Sequence, residues 1–284
     1  MIRVLALLLL LTCSVQGAEL RVATWNLEWL TARAFGDPAL PSDVHPKQAE
    51  NVDTLRRYAQ LLDADIVAFQ EVDGPEIAAR VFTPDRYVIF TTNDDVVQRV
   101  GFAVRRGISV TRNPDLAGLV VFPQALHRLR SGADITLDLP GGRLRMLAVH
   151  LKSGCNHSRL SNGSSQVCGT LQRQIAPLQG WIAQRRDEGV PFVVLGDFNR
   201  RMENRDELLA ALMAAAPLVR ATEGRGSPCW GGNSFIDHIL AGGAARGWMQ
   251  ADTLRVMVYR ETDAAAKEQL SDHCPVSVRF RLPD

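Results

Sequence analysis

Short apolar runs alternate with amphipathic stretches along most of this chain. The runs that are rich in β-branched and aromatic residues predict β-strands. These strands cover residues 20–26, 66–71, 87–92, 100–105, 135–139, 144–151, 192–197, 235–240 and 276–282. Apolar residues recur at helical spacing over 52–62, 171–182 and 204–216, and Asn204 with Glu207 three residues later fits the N-cap of the third helix. The pattern predicts an α/β protein with extensive sheet.

Turn residues refine this prediction. Pro140, Gly141 and Gly142 separate two of the predicted strands and are typical of a hairpin turn. Because a hairpin joins antiparallel strands, we expect a mixed sheet, which disfavours a doubly wound nucleotide-binding fold. Residues 217–233 are rich in Gly, Arg and Pro and are predicted to form a long loop.

The first 18 residues have the layout of a secretory signal peptide. Arg3 is followed by an apolar run and then by small and polar residues, which predicts cleavage after Gly17 or Ala18. The apolar run is too short for a stable transmembrane helix. A lipid anchor at Cys13 is disfavoured because Thr12 is a poor residue before such a cysteine. We therefore expect a secreted or periplasmic protein with a single domain over residues 19–284.

Composition and charge narrow the class of protein. Of the 284 residues, 46% are hydrophobic and 22% are charged, which is typical of a globular protein and excludes a disordered chain, a collagen or a coiled coil. Lys and Arg number 32 and Asp and Glu 31, and loss of the leader would make the two equal. A balanced charge gives no general attraction to nucleic acid or to anionic membranes, so any phosphate affinity must be local.

The cysteines that would remain after removal of the leader are even in number, which favours disulfides in an exported chain. Three pairings are possible. We favour Cys155 with Cys168, because only a short polar stretch separates them, and this leaves Cys229 with Cys274. A zinc site is disfavoured because no pair has the close spacing of structural zinc ligands.

Polar side chains accompany the ends of several predicted strands, and this is the clearest functional signal in the sequence. Strand ends that meet at one edge of a sheet can bring distant side chains into one cleft. The side chains concerned are Asn26, Glu71, His150, Asp197, Asn199, Asp237, Asp272 and His273.

These residue types indicate hydrolysis assisted by a divalent cation. Carboxylates without closely spaced Cys or His ligands suit a hard cation, and Glu71, Asp197 and Asp272 are the candidates. The cation would be Mg²⁺ or Mn²⁺, with Ca²⁺ as an alternative. His273 could take a proton from water while Asp237 fixes its tautomer.

Six segments of the chain resemble, in the same order, the motifs of the endonuclease/exonuclease/phosphatase superfamily of DNase I-like phosphoesterases. They are Thr24-Trp25-Asn26, Gln70-Glu71, Val149-His150-Leu151, Gly196-Asp197-Phe198-Asn199, Ile236-Asp237-His238 and Ser271-Asp272-His273. The resemblance spans nearly the whole chain after the leader. It implies a four-layer α/β/β/α sandwich, in which two mixed β-sheets pack face to face with helices outside.

The resemblance also implies which residues hold the metal. Glu71 would bind it with Asn26 nearby, and Asp272 would bind or support a metal or hold a metal-bound water. These residues would make the protein dependent on a divalent cation.

The catalytic roles follow from the same resemblance. His273 would be the general base, oriented by Asp237. Asp197 and Asn199 would orient the attacking water and the phosphoryl oxygens, and His150 would donate a hydrogen bond to the phosphate. This division agrees with the chemistry, because attack on phosphorus needs positioning and charge stabilisation more than covalent catalysis.

Three basic residues near the motifs are candidates for contact with substrate phosphate. Arg200 and Arg201 directly follow Asn199, and Lys152 follows the strand that ends at His150. A solvated surface position is the competing interpretation for each of them. His238 is expected to be structural, because the motif requires only the preceding aspartate.

We predict a phosphoester hydrolase, and export and disulfides favour a monomeric nuclease that acts on DNA or RNA. The balanced charge stands against this substrate, because duplex binders neutralise several phosphates. A sphingomyelinase-like phospholipid hydrolase is the main alternative and would need an exposed apolar hairpin, for which residues 119–122 are the candidate. An inositol polyphosphate phosphatase would need a richer basic cluster. An inactive binding module would not need Glu71, Asp237 and His273 together.

Overall fold

The structure, a computed structural model, describes residues 18–125, 127–160, 165–203 and 205–283. The predicted signal peptide lies outside these ranges except for Ala18, and so do Cys13 and Asn204. The strands are β1 Glu19–Leu30, β2 Ile66–Val72, β3 Tyr87–Thr91, β4 Arg99–Arg105, β5 Ser109–Arg112, β6 Ala133–Leu139, β7 Gly142–His150, β8 Phe192–Asp197, β9 Leu218–Arg220, β10 Gly226–Ser227, β11 Asn233–Ser234, β12 Asp237–Gly242, β13 Met249–Val256 and β14 Val276–Arg281. The helices are α1 Ala49–Leu62, α2 Pro75–Val81, α3 Gln166–Asp187, α4 Glu207–Ala215, α5 Ala245–Trp248 and α6 Ala264–Gln269.

Two six-stranded sheets form the centre of the protein. Their strand orders are β13-β14-β1-β2-β4-β3 and β5-β6-β7-β8-β12-β9, and β10 pairs with β11 in a small separate ribbon. In each large sheet one neighbouring pair is parallel, β1 with β2 and β7 with β8, and the other pairs are antiparallel. Both sheets are therefore mixed, as the turn residues predict.

Alternation of side chains along the strands produces the layers, because successive residues of a strand point to opposite faces of the sheet. Val22 and Val193 belong to the apolar layer between the two sheets. Trp25 belongs to the layer that the first sheet shares with α1 and α2, and Leu147 to the layer that the second sheet shares with α3 and α4. The predicted four-layer α/β/β/α sandwich is confirmed.

Several local predictions need correction. The third predicted helix begins at Glu207 rather than near Asn204, and its N-cap is Asp206, whose carboxylate accepts the backbone N–H of Leu209 at 2.9 Å. The predicted strand over 235–240 is shifted to β12, and the predicted loop over 217–233 contains β9 and β10. Strands β5 and β13 were not predicted. Both are edge strands with polar residues on the exposed side, so their sequences lack the apolar runs of buried strands.

Both preferred disulfides are present in the structure. Cys155–Cys168 joins the segment after β7 to the first turn of α3, and Cys229–Cys274 joins the segment before β11 to the turn before β14. In the ranges that the structure describes, no helix has the length and apolarity needed to cross a membrane.

Candidate active site

The ends of the central strands bring the predicted residues together. His150 lies opposite Asp197 at the carboxyl ends of the parallel pair β7 and β8, and Asp237 begins β12 opposite the same aspartate. Asn26 lies near the end of the regular part of β1 in the other sheet. Its Nδ2 donates to Asp197 Oδ2 at 3.1 Å, so the two sheets meet directly at this edge.

Irregular backbone marks this edge of the first sheet. Strand β1 has a bulge between Asn26 and Leu30, and β2 loses its regular pairing with β4 just before Val72. Glu28, Trp29 and Glu71 have positive φ angles of 43°, 51° and 60°. Such angles are strained in residues other than glycine and persist only where the surrounding structure imposes them. Here they allow the Trp29 N–H to donate to Glu71 Oε2 at 3.2 Å.

His273 and Asp237 form a hydrogen-bonded pair. His273 Nδ1 donates to Asp237 Oδ2 at 2.8 Å, and His273 Nε2 lies 3.7 Å from both Asp197 Oδ2 and Asp272 Oδ1. This geometry directs Nε2 towards the acidic side chains rather than towards the protein core. It is the arrangement expected of an imidazole whose tautomer is fixed by a carboxylate.

The turn that carries His273 is itself held by hydrogen bonds. Ser271 Oγ donates to the carbonyl oxygen of Asn26 at 2.8 Å and accepts the N–H of His273 at 3.0 Å. Tyr259 OH donates to the carbonyl oxygen of His273 at 3.0 Å, and Trp25 Nε1 donates to Tyr259 OH at 2.9 Å. The tyrosine, which sequence reasoning missed, therefore links the turn that carries His273 to the core under α1.

Burial and neighbouring charged groups shift the pKa values of His273 and of the nearby Asp197. Burial lowers the pKa of His273, but the negative charges of Asp237 and Asp197 outweigh it and raise this pKa well above 6.5. Burial raises the pKa of Asp197 to about 7, an effect that the positive charge of His273 opposes and Asp237 reinforces. Added positive charge in the cleft would lower both pKa values.

Asp197 and Asn199 form a compact turn at the end of β8. The Asn199 N–H donates to Asp197 Oδ1 at 2.7 Å, and Asn199 Nδ2 donates to Asp197 Oδ2 at 3.1 Å and to the carbonyl oxygen of Leu151 at 3.2 Å. Gly196 lets β8 approach β7 here, because a Cβ at its position would lie 2.0 Å from the carbonyl oxygen of Val149. Close packing of the two strands therefore explains why the Gly-Asp-Phe-Asn motif has a glycine at this position.

Glu71 and Asp272 present carboxylates to the cleft, whereas Asn26 does not present its amide oxygen. Asn26 Oδ1 accepts the backbone N–H of Glu28 at 2.9 Å, and Asn26 Nδ2 donates to Glu71 Oε1 at 3.1 Å. The amide is therefore oriented as a donor to carboxylates. Only the oxygen of an amide can bind a hard cation, and in this orientation Asn26 contacts the predicted ligand Glu71 as a hydrogen-bond donor. Its place at the metal site stays a prediction.

His150 has a partner that sequence reasoning missed. The guanidinium of Arg130 donates to His150 Nδ1 at 2.6 Å, and His150 Nε2 lies 3.5 Å from Glu71 Oε1 and 3.6 Å from Asp197 Oδ2. Burial, reinforced by the positive charge of Arg130, lowers the pKa of His150 well below 6.5. Arg130 lies in an irregular segment without a recognisable motif, so no local signal indicates its role.

A second missed pair lies beside Asp272. Glu28 Oε2 accepts the backbone N–H of Asp272 at 3.0 Å and lies 3.8 Å from Nζ of the buried Lys47. Burial raises the pKa of Glu28 to about 7, although the positive charge of Lys47 opposes the shift. The pair places a carboxyl group and an amino group at the rim of the site.

Two depressions that share lining residues surround this site. The main cleft, of about 360 Å³, is lined by Glu71, His150, Asp197, Asp272 and His273 together with basic side chains. An adjacent cavity of about 200 Å³ shares Asp272 and His273 with it and is lined also by Asp237. His273 therefore lies at the boundary between the two.

The predicted phosphate-binding residues are separated by the structure. Lys152 lines the main cleft and Arg201 the adjacent cavity, so both remain candidates. Arg200 is buried, and its guanidinium donates to Asp206 Oδ2 at 2.6 Å and to the carbonyl oxygen of Cys155 at 2.8 Å. Arg200 therefore has a structural role, and its assignment to substrate phosphate was wrong.

His238 is structural, as expected. It is buried, and its Nδ1 and Nε2 lie 2.6 Å from Thr222 Oγ1 and 2.9 Å from the carbonyl oxygen of Arg200. The ring therefore anchors the segment that follows the Asp197 turn. It does not line either cavity.

Comparison with known proteins identifies the family to which this architecture belongs. The model of the Endonuclease/Exonuclease/phosphatase family matches residues 23–273, which include all six motifs. The chain belongs to this family. Members of the endonuclease/exonuclease/phosphatase family are phosphoester hydrolases, so the chain belongs to a family of phosphoesterases. A sequence comparison with curated proteins finds no match.

Solved structures share the fold of this family member at low sequence identity. A truncated TDP2 from Caenorhabditis elegans is 14% identical, with a TM-score of 0.61, and the match covers 93% of this chain and 98% of that one. The 3'-5' exonuclease NExo from Neisseria meningitidis is 18% identical, with a TM-score of 0.60 and coverage of 92% and 99%. TDP2 from D. rerio, complexed with a single-strand DNA product, is 16% identical, with a TM-score of 0.59 and coverage of 93% and 99%.

Proposed function

We propose that the protein is an exported, divalent-metal-dependent phosphodiesterase that hydrolyses DNA or RNA with a water molecule activated by His273 and Asp237. The observation that carries the proposal is the 2.8 Å hydrogen bond between these two residues, with His273 Nε2 directed into a cleft that Glu71 and Asp197 also line. A buried carboxylate, an imidazole and an acidic cleft are the parts that hydrolysis of a phosphoester requires.

The donor set fits a hard divalent cation. Glu71 and Asp272 offer carboxylate oxygens to the cleft, and Asp237 Oδ1 is buried without a hydrogen-bond partner among the described residues. We assign the ion to Glu71 and Asp272, with Mg²⁺ as the expected ion and Mn²⁺ or Ca²⁺ as alternatives. One ligand atom from each of Asp197, Asp237 and His273 also lies within 4.8 Å of the others, which offers a second possible position.

The negative charge of the site favours the binding of a metal ion. The bound ion would neutralise negative charge on the phosphate and on the surrounding carboxylates. Without added positive charge, Asp237 and Asp197 hold the pKa of His273 well above 6.5, so the imidazole keeps its proton. A cation in the cleft would lower this pKa and leave Nε2 able to accept a proton from water.

The side chains of the chain then divide the work. His273 takes the proton of the attacking water at Nε2, while Asp237 accepts the Nδ1–H and stabilises the imidazolium. Asp197 and Asn199 orient the water and the phosphoryl oxygens, and His150 donates a hydrogen bond from Nε2 to the phosphate.

Two features support a polymeric phosphodiester substrate. The main cleft and the adjacent cavity lie on either side of His273, so a substrate can extend in both directions from the reacting phosphate. Both depressions have basic side chains on their walls that can reach a phosphate: Arg128 and Lys152 in the first, and Arg201 and Lys267 in the second. Local positive charge can bind a polyanion although the net charge of the chain is only +1.

Relatives with the same fold act on nucleic acid. The structure of TDP2 from D. rerio contains a single-strand DNA product, and NExo from Neisseria is described as a 3' phosphatase bound to a product DNA hairpin. The phospholipid alternative has less support. Leu119 is buried, and Phe122, 41% exposed, lies under the guanidinium of Arg173 at 5.3 Å.

The proposal of export rests on residues 1–18 and is compatible with the two disulfides. N-terminal sequencing of the protein recovered outside the cytoplasm should begin at Ala18 or Glu19. A mature protein that still begins at Met1 would contradict this part of the proposal.

The deciding experiment compares substrates in parallel. Purified mature protein is incubated with plasmid DNA, RNA, sphingomyelin or an inositol polyphosphate, with Mg²⁺ and then with EDTA. We expect the protein to nick plasmid DNA or cleave RNA, and EDTA should abolish this activity. His273→Ala should lose the activity, whereas the control His157→Ala, at an exposed position, should retain it. Cleavage of only the lipid or the inositol phosphate would reject the nucleic-acid substrate but keep the mechanism. No hydrolysis of any substrate would favour an inactive binding module.

A further inference from the structure

Arg130 is a buried cation with an unusual partner. The residue is 6% exposed and lines the main cleft, yet its side chain forms no ion pair with a carboxylate among the described residues. Within those residues its one hydrogen-bond acceptor is His150 Nδ1, at 2.6 Å, and its Nε has no partner. A buried charge is costly unless a partner or a function compensates for it, so the position of Arg130 calls for an explanation.

The segment that carries Arg130 is rigidly placed. The N–H and the hydroxyl of the next residue, Ser131, each donate to a carboxylate oxygen of Asp94 at 2.8 Å. Asp94 lies in the loop between β3 and β4 of the other sheet. The guanidinium is therefore held against His150 by a contact between the two sheets.

The chemistry of the two groups dictates where the proton of His150 lies. A guanidinium has only N–H donors and does not lose its proton in proteins. His150 Nδ1 must therefore accept with its lone pair, which leaves the ring proton on Nε2. Nε2 is the atom that lies 3.5 Å from Glu71 Oε1 and 3.6 Å from Asp197 Oδ2, at the reacting end of the cleft.

We propose that Arg130 is a positioning residue that locks His150 in the neutral Nε2–H tautomer, so that His150 acts as a fixed hydrogen-bond donor to the substrate phosphate and not as a proton-releasing acid. This inference rests on the proposed phosphoesterase function, but its structural part concerns the protein alone. It also explains why a cation is buried in the wall of an acidic cleft.

The first test needs no turnover. Long-range ¹H–¹⁵N spectra of the metal-free wild-type protein at neutral pH report which nitrogen of each histidine carries a proton, and His150→Gln assigns the signals of His150. We expect a protonated Nε2 and an unprotonated Nδ1. A protonated Nδ1, alone or together with Nε2, overturns the proposal whether or not any substrate is hydrolysed.

Variants then test whether the arginine acts through the histidine. Arg130→Met should mix the two tautomers and lower kcat for plasmid nicking about tenfold or more with little change in KM, while Arg130→Lys should restore part of the loss. In the His150→Ala background the same substitution should change kcat by less than about twofold. Arg185→Met is the matched control, because Arg185 is equally buried but lies on α3 and pairs with Glu188.

The alternative is that Arg130 binds substrate phosphate directly. Arg130→Met would then raise KM and would remain costly in the His150→Ala background, and this result would overturn the proposal. A defect in Arg185→Met of the same size would instead show that loss of a buried arginine, rather than its contact with His150, explains the effect. If no substrate is cleaved, the proposed function fails, while the tautomer measurement still decides the structural inference.

Discussion

At the scale of single residues, three histidines, two of them buried and His273 partly buried, differ in the group that faces Nδ1. His273 faces the carboxylate of Asp237 and His150 faces the guanidinium of Arg130, so the first must carry a proton on Nδ1 and the second must not. His238 is bonded to a hydroxyl and a carbonyl oxygen, and within the described ranges neither of these partners nor any other hydrogen-bond partner of its ring is charged. One residue type thus has the geometry of a base, a donor and a structural anchor, because of the contacts that burial imposes.

The Asp237 carboxylate is expected to act through the tautomer of His273. In Asp237→Asn the new amide can donate to Nδ1, which places the ring proton on Nε2 and removes the lone pair that accepts a proton from water. We predict that kcat for phosphodiester hydrolysis falls about a hundredfold or more with an unchanged circular dichroism spectrum. Asp252→Asn, at an exposed position of β13, is the isosteric control and should retain full activity. Comparable activity of the two variants would refute the assigned pair.

His238 is expected to make the protein sensitive to acid. Burial lowers its pKa from 6.5 to about 3 in the folded protein, so over that range the unfolded chain takes up a proton that the folded one does not. The stabilisation is complete above pH 6.5 and is lost as the pH falls towards 3, by up to about 1.4 kcal/mol per pH unit.

His238→Gln can keep both hydrogen bonds but does not titrate. Its free energy of unfolding, measured with denaturant at several pH values, should therefore fall less steeply below pH 6.5 than that of the wild type. Identical pH slopes for the two proteins would contradict this prediction.

At the scale of elements, the site depends on how closely β7 and β8 approach each other. Gly196 has a φ of 142°, and its missing Cβ leaves room for the carbonyl oxygen of Val149. Gly196→Ala should lower the free energy of unfolding by at least about 2 kcal/mol and disturb the adjacent Asp197. Gly180→Ala is the opposite case. Gly180 lies in α3, where an added Cβ would have no described atom within 4 Å apart from its chain neighbours and the backbone of the helix, so the substitution should stabilise the protein by about 0.5–1 kcal/mol. Thermal and denaturant unfolding of both variants would check the pair.

The Cys229–Cys274 disulfide links two elements of the site. Cys274 directly follows His273, and Cys229 lies in a segment that lines the adjacent cavity. In the same segment, Trp230 Nε1 donates to the carbonyl oxygen of Ser271 at 3.0 Å. The bond therefore ties the turn that carries His273 to one wall of the cavity. Its loss should affect catalysis as well as stability.

The second disulfide provides the control. Chain-entropy arguments give losses of about 4 kcal/mol for the 45-residue separation of Cys229–Cys274 and about 3 kcal/mol for the 13-residue separation of Cys155–Cys168. We predict that Cys229→Ser with Cys274→Ser lowers kcat at least about tenfold at a temperature where it is folded. The Cys155→Ser and Cys168→Ser pair should lose similar stability but retain more activity, and the reverse order would contradict the prediction.

At the scale of the whole molecule, the site lies where two sheets meet. Asn26 and Glu71 come from one sheet, His150 and Asp197 from the other, and His273 from a turn that leads into the first sheet. No single sheet contains the complete site, so the proposed catalysis requires the assembled sandwich. Ligand binding at this junction should therefore stabilise the entire fold.

Metal binding should raise the thermal stability of the protein. A cation that binds only the folded state at a hundredfold excess over its Kd adds about 2.7 kcal/mol, which corresponds to a rise in Tm of about 5–10 °C for a domain of this size. We expect Mg²⁺ to raise the Tm of the wild type and EDTA to reverse the rise. Glu71→Gln should lose the effect, whereas Glu50→Gln, at an exposed position of α1, should keep it. An equal rise in both variants would exclude Glu71 as a ligand.

The sequence by itself determined the elements and the order of the motifs. Continuous apolar runs mark strands such as β2 and β8, because a strand that is buried on both faces has apolar residues at nearly every position. Polar residues at the ends of these strands indicate the site. The pattern itself predicts an α/β protein with a mixed sheet, and the resemblance of the six ordered motifs implies the endonuclease/exonuclease/phosphatase family and its four-layer fold. The family match and the structure confirm both.

Only the tertiary structure decided how individual side chains are used. Arg200 and Arg201 are neighbours in the sequence, yet the first is buried against the carbonyl oxygen of Cys155 and the second lines a cavity. Arg130 reaches His150 across 20 residues, and the amide of Asn26 is oriented by its contacts with the backbone and with distant carboxylates. These outcomes depend on contacts between segments that lie far apart in the chain, and the local sequence does not indicate such contacts.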